Sequence, residues 1–229
     1  MKAQSQPAGY GGGSVDSAAQ KRRVPYRQGE GERLRQDILD TATRILEESG
    51  REDALSLRGI ARELGIAAPS IYLHFNDKTD LVRTVLDARY AALASTMREA
   101  GRAAAEAGAG AWGVLRAIVG TYRGFAVDNP RRYRLMFSLE QQTSAEDRRA
   151  TGYPLDRVLI AWTDAVDQYL AAACPEQREE ADTLGVLLWT GLHGQFALWH
   201  TLPHSFVDDD TILRELEEAL MRRLLPPSD

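Results

Sequence analysis

Residues 56–81 read SLRGIARELGIAAPSIYLHFNDKTDL, and this stretch is the most informative part of the chain for its fold. It predicts two short helices joined by a turn at Gly65, followed by the start of a third helix. Ser56 is placed to cap the first helix, and Pro69 lies in the first turn of the second, where its missing N–H costs nothing. Asp77 is placed to cap the third helix. Units of this kind place a helix in the major groove of DNA.

The apolar residues around this unit repeat at helical spacing and predict a small buried core. Within the unit they are Leu57, Ile60, Ala61, Leu64, Ile66, Ile71 and Phe75. Residues 33–50 predict a further amphipathic helix, which Gly50 ends. Its apolar stripe is Leu34, Ile38, Ala42, Ile45 and Leu46. Three helices in this order predict a compact DNA-binding domain.

Residues 38–81 closely resemble the N-terminal domain of TetR-type transcriptional regulators. The matching runs are ILDTATRILEESG and LSLRGIARELGIAAPSIYLHFNDKTDL. The end of the second run, IYLHFNDKTDL, resembles the family's aromatic-rich recognition helix and the lysine that follows it. Gly59 and Ala67 depart from the family pattern, which often has an acidic residue at the first position and a Ser or Thr cap at the second. Both departures weaken local helix starts.

The resemblance also indicates which residues contact DNA. The head of the recognition helix should lie nearest the base edges, where Ala68 can touch a thymine methyl group and Ser70 can donate or accept. Arg58 suits a phosphate contact but equally a solvated surface charge. Since few of these side chains can make bidentate base contacts, we expect water, DNA shape or Leu73 packing to supply part of the specificity. The predicted DNA-binding residues are Ser56, Arg58, Ala67, Ala68, Ser70, Tyr72, His74, Lys78 and Arg33.

Charge is distributed unevenly along a chain whose net charge is −5. The net charge argues against a general nucleic-acid coat protein. Basic residues nevertheless cluster at positions 21–35, just before and within the first helix, and acidic residues thicken toward the C-terminus. Residues 1–31 are rich in Gly, Gln and Ser and predict a disordered basic arm. The arm is either an auxiliary DNA contact, for example in the minor groove, or a solubilising segment.

The pattern predicts an all-α protein. It consists of the arm at 1–31, a three-helix DNA-binding domain at 32–79, and a larger helical effector-binding and dimerisation domain at 80–229. A linker helix should begin at Lys78, and the glycine-rich run at 101–110 predicts a flexible break. Further helices are predicted at 112–128, from 129, and at 154–173, 175–200 and 211–225, with a polar loop at 138–152.

Composition excludes several classes of protein. The chain has 229 residues, is 44% hydrophobic and contains a single cysteine, which suits a reducing cytoplasm. We see no apolar run near the ~20 residues of a membrane span, and no signal-peptide core. No phosphate loop, H-E-x-x-H or G-x-S-x-G motif is present, so we expect neither an enzyme nor a cofactor. His200 and His204 have a metal-ligand spacing, but Pro203 between them argues against a metal site.

The predicted helix around Trp189 has two different faces. One carries Trp189, His193, Phe196 and His200, and the opposite face carries Leu187, Gly191, Gly194 and Leu198. The spacing W-x-x-x-H-G resembles the effector domain of a TetR subgroup. His193 is equally compatible with a structural hydrogen bond and with ligand contact, and each aromatic residue taken alone is more typical of plain core. The predicted ligand-binding residues are Tyr122, Phe125, Met136, Phe137, Trp162, Tyr169, Trp189, His193 and Phe196.

Together these features predict a homodimeric, ligand-responsive regulator, most simply a repressor that binds a palindromic operator and that an apolar or aromatic molecule releases. The partners are therefore double-stranded DNA, a small-molecule effector and a second copy of the chain, without a membrane. The predicted dimer interface is Leu187, Gly191, Gly194, Leu198, Ile212, Leu213, Leu216 and Leu220. The alternative is a helical small-molecule-binding or adaptor protein with a vestigial DNA-binding unit.

Overall fold

The computed structural model describes residues 31–142, 153–200 and 210–226, and these residues form helices and no β-strand. The predicted all-α class is confirmed. The α-helices are α1 (Gly31–Ser49), α2 (Leu57–Leu64), α3 (Lys78–Glu106), α4 (Ala111–Asp128), α5 (Pro130–Gln142), α6 (Asp156–Ala173), α7 (Ala181–Trp199) and α8 (Asp210–Leu224). Short 3₁₀ helices lie at Glu52–Ala54, Ala68–Leu73 and Pro175–Glu180. The predictions for the basic arm and for His204 fall outside the described residues.

The helix-turn-helix unit forms for the reasons that its sequence suggests. The Ser56 hydroxyl accepts a hydrogen bond from the Gly59 N–H at 3.3 Å, so the predicted cap is present. Gly65 ends α2 in the left-handed conformation with φ of 68°. Asp77 caps α3 by accepting from the Asp80 N–H at 2.8 Å. The Asp80 carboxylate accepts a hydrogen bond from the backbone N–H of Asn76 at 3.0 Å, so the reciprocal bond is made one residue upstream of the cap.

The recognition helix, Ala68–Leu73, is a 3₁₀ helix. Its N-cap residue Ala67 has no side-chain acceptor, so the free N–H groups of the first turn gain no capping hydrogen bond there. The expectation that Ala67 weakens this helix start agrees with the observed geometry.

The predicted flexible break at 101–110 is wrong, because α3 continues as a regular helix to Glu106. Gly101 is buried inside it, and a Cβ there would lie 2.8 Å from Ile118 Cδ1 on α4. This glycine therefore permits close helix packing, while the alanines that follow favour helix. The chain turns at Gly108, whose φ is +83°. The predicted polar loop at 138–152 is wrong for its first five residues, since α5 extends to Gln142, and the rest of that prediction falls outside the described residues.

The core has two connected parts. Helices α3, α4, α6 and α7 pack into a bundle, whereas α1 packs against α2 and α3, and α2 packs against the recognition helix. Fully buried side chains of the smaller part include Ile38, Ile60, Ile71 and Leu81. Helix α3 has 29 residues and contributes to both parts of the core. A displacement of its C-terminal turns can therefore be transmitted to the helix-turn-helix unit.

Two features are absent from the parts of the chain that the structure describes, namely a membrane-spanning helix and a cluster of metal ligands. None of the helices there combines the length and the apolar character needed to cross a membrane. The same residues contain no group of three or more His, Cys, Asp or Glu side chains arranged to hold a metal ion.

Candidate DNA-binding surface and effector core

The recognition helix has one buried side and one exposed side. Ile71 and the following Phe75 are buried in the core, which fixes the orientation of the helix. Tyr72 is 58% exposed and Leu73 is 82% exposed, so these two large side chains project into solvent. The helix is therefore anchored in the core by Ile71 and Phe75, and it exposes Tyr72 and Leu73 on its opposite side.

The other predicted DNA contacts surround this exposed side. Ser56, Arg58 and Ala67 are exposed, whereas Ala68, Ser70, His74 and Lys78 are half-buried. The Lys78 ammonium lies 3.6 Å from Glu52 Oε1, which orients it beside the helix. Arg33 is exposed on the first turn of α1, and that turn approaches His74, since a Cβ on Gly31 would lie 3.7 Å from the imidazole.

Ion and cation–π contacts hold this unit together. Arg44 Nη2 on α1 donates to both carboxylate oxygens of Glu63 on α2, at 2.7 and 2.6 Å. The Arg35 guanidinium lies over the Phe75 ring, 5.2 Å from its centroid. These contacts fix α1 against the helix-turn-helix, because charge-assisted hydrogen bonds and a stacked guanidinium both restrict orientation.

A second candidate site is a hydrogen-bonded aromatic cluster between α4, α5 and α7. The Tyr133 hydroxyl lies 2.6 Å from His193 Nδ1, and the Tyr122 hydroxyl lies 3.3 Å from the same nitrogen. Trp189 Nε1 donates to the Tyr122 hydroxyl at 3.2 Å. The four polar groups thus form one connected network, which is costly to leave partly unpaired in a buried site.

Aromatic rings surround this network. The Trp189 and His193 rings stack at 5.1 Å with an angle of 16°, and the Phe137 ring lies 4.2 Å from the imidazole. The Tyr122 ring meets Trp162 edge-on at 5.4 Å and is tilted against Phe196 at 5.9 Å. Trp162 Nε1 is buried and has no hydrogen-bond partner among the described residues. One donor in this apolar interior is therefore available to an acceptor.

Burial keeps the network uncharged. It lowers the pKa of His193 to about 4, so the imidazole is neutral near pH 7. Burial also raises the pKa of Tyr122 and of Tyr133 far above the usual range for a phenol. The cluster can therefore donate and accept hydrogen bonds but offers no fixed charge, which suits an apolar or aromatic ligand with few polar atoms.

The structure brings together most of the predicted ligand-binding residues, but one of them lies elsewhere. Tyr169 packs edge-on against Trp112 at 5.5 Å, and its hydroxyl donates to the Pro226 carbonyl. Tyr133, which sequence reasoning missed, is the centre of the cluster. Its signal was available, since Tyr133 and Phe137 are four residues apart on one helix face. The cluster also includes Tyr122, Phe137, Trp162, Trp189, His193 and Phe196, and Phe125 lies at its edge. Met136, which precedes Phe137 in the sequence, is buried.

The face of α7 opposite the cluster meets solvent and α8. Leu187 and Leu198 on α7, together with Ile212 and Leu216 on α8, are exposed apolar side chains. Leu213, by contrast, is buried in the chain's own core. Gly191 and Leu220 approach each other within the chain, because a Cβ on Gly191 would lie 2.6 Å from Leu220 Cδ2. Gly194 faces open space. Leu213 and Leu220 therefore serve the α7–α8 packing, and the exposed leucines and isoleucine form an exposed apolar face.

A third feature, absent from the sequence-based predictions, lies where α1 meets the bundle. Glu47 on α1 is shared by two arginines, with 2.9 Å between Arg89 Nε and Glu47 Oε1 and 3.0 Å between Arg132 Nη2 and Oε2. Both arginines also line a cleft of about 280 Å³ between α3, α4 and the start of α5. We call these three side chains the junction cluster and the space beside them the junction cleft.

Two family models match the chain. The model described as bacterial regulatory proteins of the tetR family matches residues 38–85. The model described as the Tetracyclin repressor-like, C-terminal domain matches residues 115–224. The two matches cover the helix-turn-helix unit and the bundle that carries the aromatic cluster. They do not test the W-x-x-x-H-G subgroup, which stays a prediction.

Solved structures share the fold over most of the chain. A protein of unknown function from Rhodococcus sp. RHA1 has 22% identity and a TM-score of 0.63, covering 88% of this chain and 98% of that one. The transcriptional regulator FadR from Bacillus subtilis, solved with stearoyl-CoA, has 16% identity and a TM-score of 0.58, covering 83% and 97%. A protein assigned to the TetR family from Mesorhizobium loti has 18% identity and a TM-score of 0.55, covering 86% and 98%.

Proposed function

Because the chain belongs to the TetR family of transcriptional regulators, we propose that it is a repressor that binds a palindromic operator as a homodimer. We further propose that an apolar or aromatic small molecule bound in the aromatic cluster releases it from DNA. The protein is then a cytoplasmic binding protein rather than an enzyme, since its cluster holds neutral hydrogen-bonding groups without an activated nucleophile.

One observation carries the DNA-binding part of the proposal, namely the exposed side of the recognition helix. Tyr72 and Leu73 project from a helix that Ile71 and Phe75 anchor in the core. Phosphate contacts would position the unit through Lys78 and the N-terminus of α2, which the Ser56 cap orients. Ala68 and Ser70 at the head of the helix would read base edges, and Leu73 would pack against a sugar or a thymine methyl group.

The dimer is proposed from the exposed apolar face of α7 and α8. Leu187, Leu198, Ile212 and Leu216 are all exposed in the single chain, although apolar side chains of this size are usually covered. Two copies joined through this face would make a four-helix seam. A two-fold axis through the seam would present both recognition helices to half-sites about one DNA turn apart, ~34–36 Å.

The effector is proposed from the chemistry of the aromatic cluster. The rings offer apolar area, while His193 and the unpaired Trp162 Nε1 offer a small number of directed polar contacts. FadR, a structural neighbour, was solved with stearoyl-CoA, so this fold accommodates a ligand with a long apolar acyl chain in at least one case. Our chain has a strongly aromatic interior, and this favours an aromatic or ring-containing effector.

A path of ring contacts connects the cluster to α3. Phe137 packs against His193 at 4.2 Å and against Tyr90 of α3 at 5.7 Å. A ligand that displaces Phe137 would therefore act on the helix that continues to the recognition helix. Release from DNA requires only that the ligand bind more tightly to the conformation with the wrong half-site spacing.

A screen of the full-length dimer tests this proposal. Thermal-shift measurements against apolar and aromatic metabolites should yield compounds that stabilise the fold, and each compound should then lower affinity for operator DNA. The variant Tyr133→Phe, which keeps the ring but removes its hydroxyl, should bind these compounds differently, whereas Tyr169→Phe should not. Compounds that stabilise the protein without changing DNA affinity would contradict the proposed coupling. A monomeric Leu187→Glu variant that still binds a full palindrome as tightly would contradict the proposed dimer.

A further inference from the structure

The junction cluster holds one carboxylate between two guanidinium groups. Arg132 Nη2 donates a hydrogen bond to Glu47 Oε2 at 3.0 Å. Arg89 Nε lies 2.9 Å from Oε1, but this approach is poorly aligned, because Oε1 is buried and accepts no hydrogen bond. The cluster therefore has two cations for one anion, and one oxygen of that anion is incompletely satisfied.

The two arginines have unused donors. A guanidinium carries five N–H groups, and Glu47 takes the only ion-pair or hydrogen-bond contact that Arg89 and Arg132 make within the described residues. Both side chains are about one-third exposed, at 35% and 38%. Donors that are already gathered in pairs and partly desolvated favour a planar or tetrahedral oxyanion over water.

The junction cleft gives such an anion room for an organic body. Its volume of about 280 Å³ lies at the lower end of small-molecule sites. Beyond the arginines its walls are a mixture of apolar and weakly polar side chains, with Asp128 as the one carboxylate in the lining. Asp128 is exposed to solvent, so its charge is screened, and it disfavours an anion at its own position. The remaining lining residues are Ala92, Leu93, Thr96, Thr121, Gly124, Phe125 and Asn129.

We propose that the junction cleft binds a small organic anion, a carboxylate or a phosphate monoester, through Arg89 and Arg132. The bound anion competes with Glu47 for these two guanidinium groups. Phe125 and Leu93 cover the apolar body of the ligand. This site adjoins the aromatic cluster at Phe125 but differs from it in chemistry, because the neutral groups of the cluster do not match a fixed negative charge.

The position of Glu47 gives the site a regulatory consequence, which rests on the function proposed above. Glu47 belongs to α1, whereas Arg89 and Arg132 belong to α3 and α5. An anion that draws both guanidinium groups toward the cleft loosens the tie between α1 and the bundle. Because α1 packs against α2, which in turn packs against the recognition helix, the anion shifts the orientation of that helix, and DNA affinity changes with it.

Calorimetric titration of the full-length protein tests the site without DNA. The probes are benzoate and phenyl phosphate, with benzamide as the uncharged isostere of benzoate. We expect at least one of the two anions to bind about tenfold more tightly than benzamide, because charge-assisted hydrogen bonds are the stronger class. The comparison of the anions distinguishes a carboxylate site from a phosphate site.

Substitutions of the arginines and of Glu47 should change anion affinity in opposite directions, which a purely structural ion cluster would not do. Arg89→Gln and Arg132→Gln should each weaken anion binding about fivefold to tenfold, whereas Glu47→Gln should strengthen it several-fold, since it removes the internal competitor. Arg102→Gln, on an exposed turn of the same helix α3, is the matched control and should change nothing. If Arg89→Gln fails to fold, the opposite effects of Arg132→Gln and Glu47→Gln decide the question.

Three results would overturn the site: no detectable binding of either anion, equal binding of benzamide, or an unchanged or weakened affinity in Glu47→Gln. A separate titration with operator DNA then tests the regulation. Anion binding without a change in DNA affinity overturns the coupling but leaves the site in place. If the protein binds no operator at all, the proposed function fails, while the calorimetric result for the cleft stands.

Discussion

Acidification should destabilise this protein through His193 in a way that can be isolated. Burial lowers the pKa of His193 from 6.5 to about 4, so the folded state holds the imidazole neutral while the unfolded chain protonates it. The unfolded state then binds more protons than the folded state between those two values. The stability contributed by the neutral form is therefore complete above pH 6.5 and is lost as the pH falls toward 4.

The size of the effect follows from the same two values. A difference of one pKa unit corresponds to about 1.4 kcal/mol, so the full loss below pH 4 is about 3 kcal/mol. Between pH 7 and pH 5 the loss should be about 2 kcal/mol. The hydroxyl groups of Tyr122 and Tyr133 face the imidazole, and burial raises their pKa values, so they do not titrate in this window.

Urea unfolding followed by far-UV circular dichroism measures this effect. The protein concentration is held fixed, because the proposed self-association would make stability depend on concentration. Wild type and His193→Gln are compared at pH 7 and at pH 5. Other titrating groups contribute to both proteins and cancel in the comparison, so wild type should lose about 2 kcal/mol more than the variant. Equal losses in the two proteins would refute the account of His193 as a buried neutral base.

Three further substitutions test the packing and the local contacts. Gly185→Ala should lower the free energy of unfolding by about 1–3 kcal/mol, because the new Cβ would lie 2.8 Å from the Thr163 backbone. Denaturant unfolding measures this loss. An unchanged midpoint would contradict the close approach of α6 and α7. Tyr133→Phe should cost about 1–2 kcal/mol by removing the 2.6 Å contact with His193, measured in the same way, and a neutral result would show that the network contributes little. Ser56→Ala should cost about 1 kcal/mol through the lost cap, whereas Ser56→Asp should retain most of it, and equal losses in both would refute capping.

Local chemistry explains which parts of the fold could be predicted from the sequence. Ser56, Gly65 and Asp77 act through neighbouring backbone atoms, so their roles follow from residue type and spacing. The error at 101–110 arose because glycine was interpreted as a chain breaker. Gly101 instead makes room for Ile118, and a contact with a residue on another helix leaves no local signal.

In the candidate site, too, local features could be predicted from the sequence, whereas contacts between helices could not. Periodicity placed Trp189 and His193 on one face of a helix, and the structure shows that they stack. Tyr133 was missed because its role depends on how α5 lies against α7. The junction cluster could not be predicted for the same reason, since Glu47, Arg89 and Arg132 are brought together by three helices that are distant in sequence.

The central claim is that the helix Ala68–Leu73 recognises operator DNA. The most direct test first recovers bound fragments of genomic DNA with the purified protein and then titrates the protein against the recovered sequence. The account predicts an enriched palindromic sequence, including DNA upstream of the protein's own gene. It also predicts that Tyr72→Ala combined with Lys78→Ala weakens binding to this sequence at least about tenfold and lowers its salt dependence, whereas Arg102→Gln does not. Failure to enrich any palindrome, or equal affinity of the double variant and the Arg102→Gln control, would contradict recognition of DNA by the helix Ala68–Leu73.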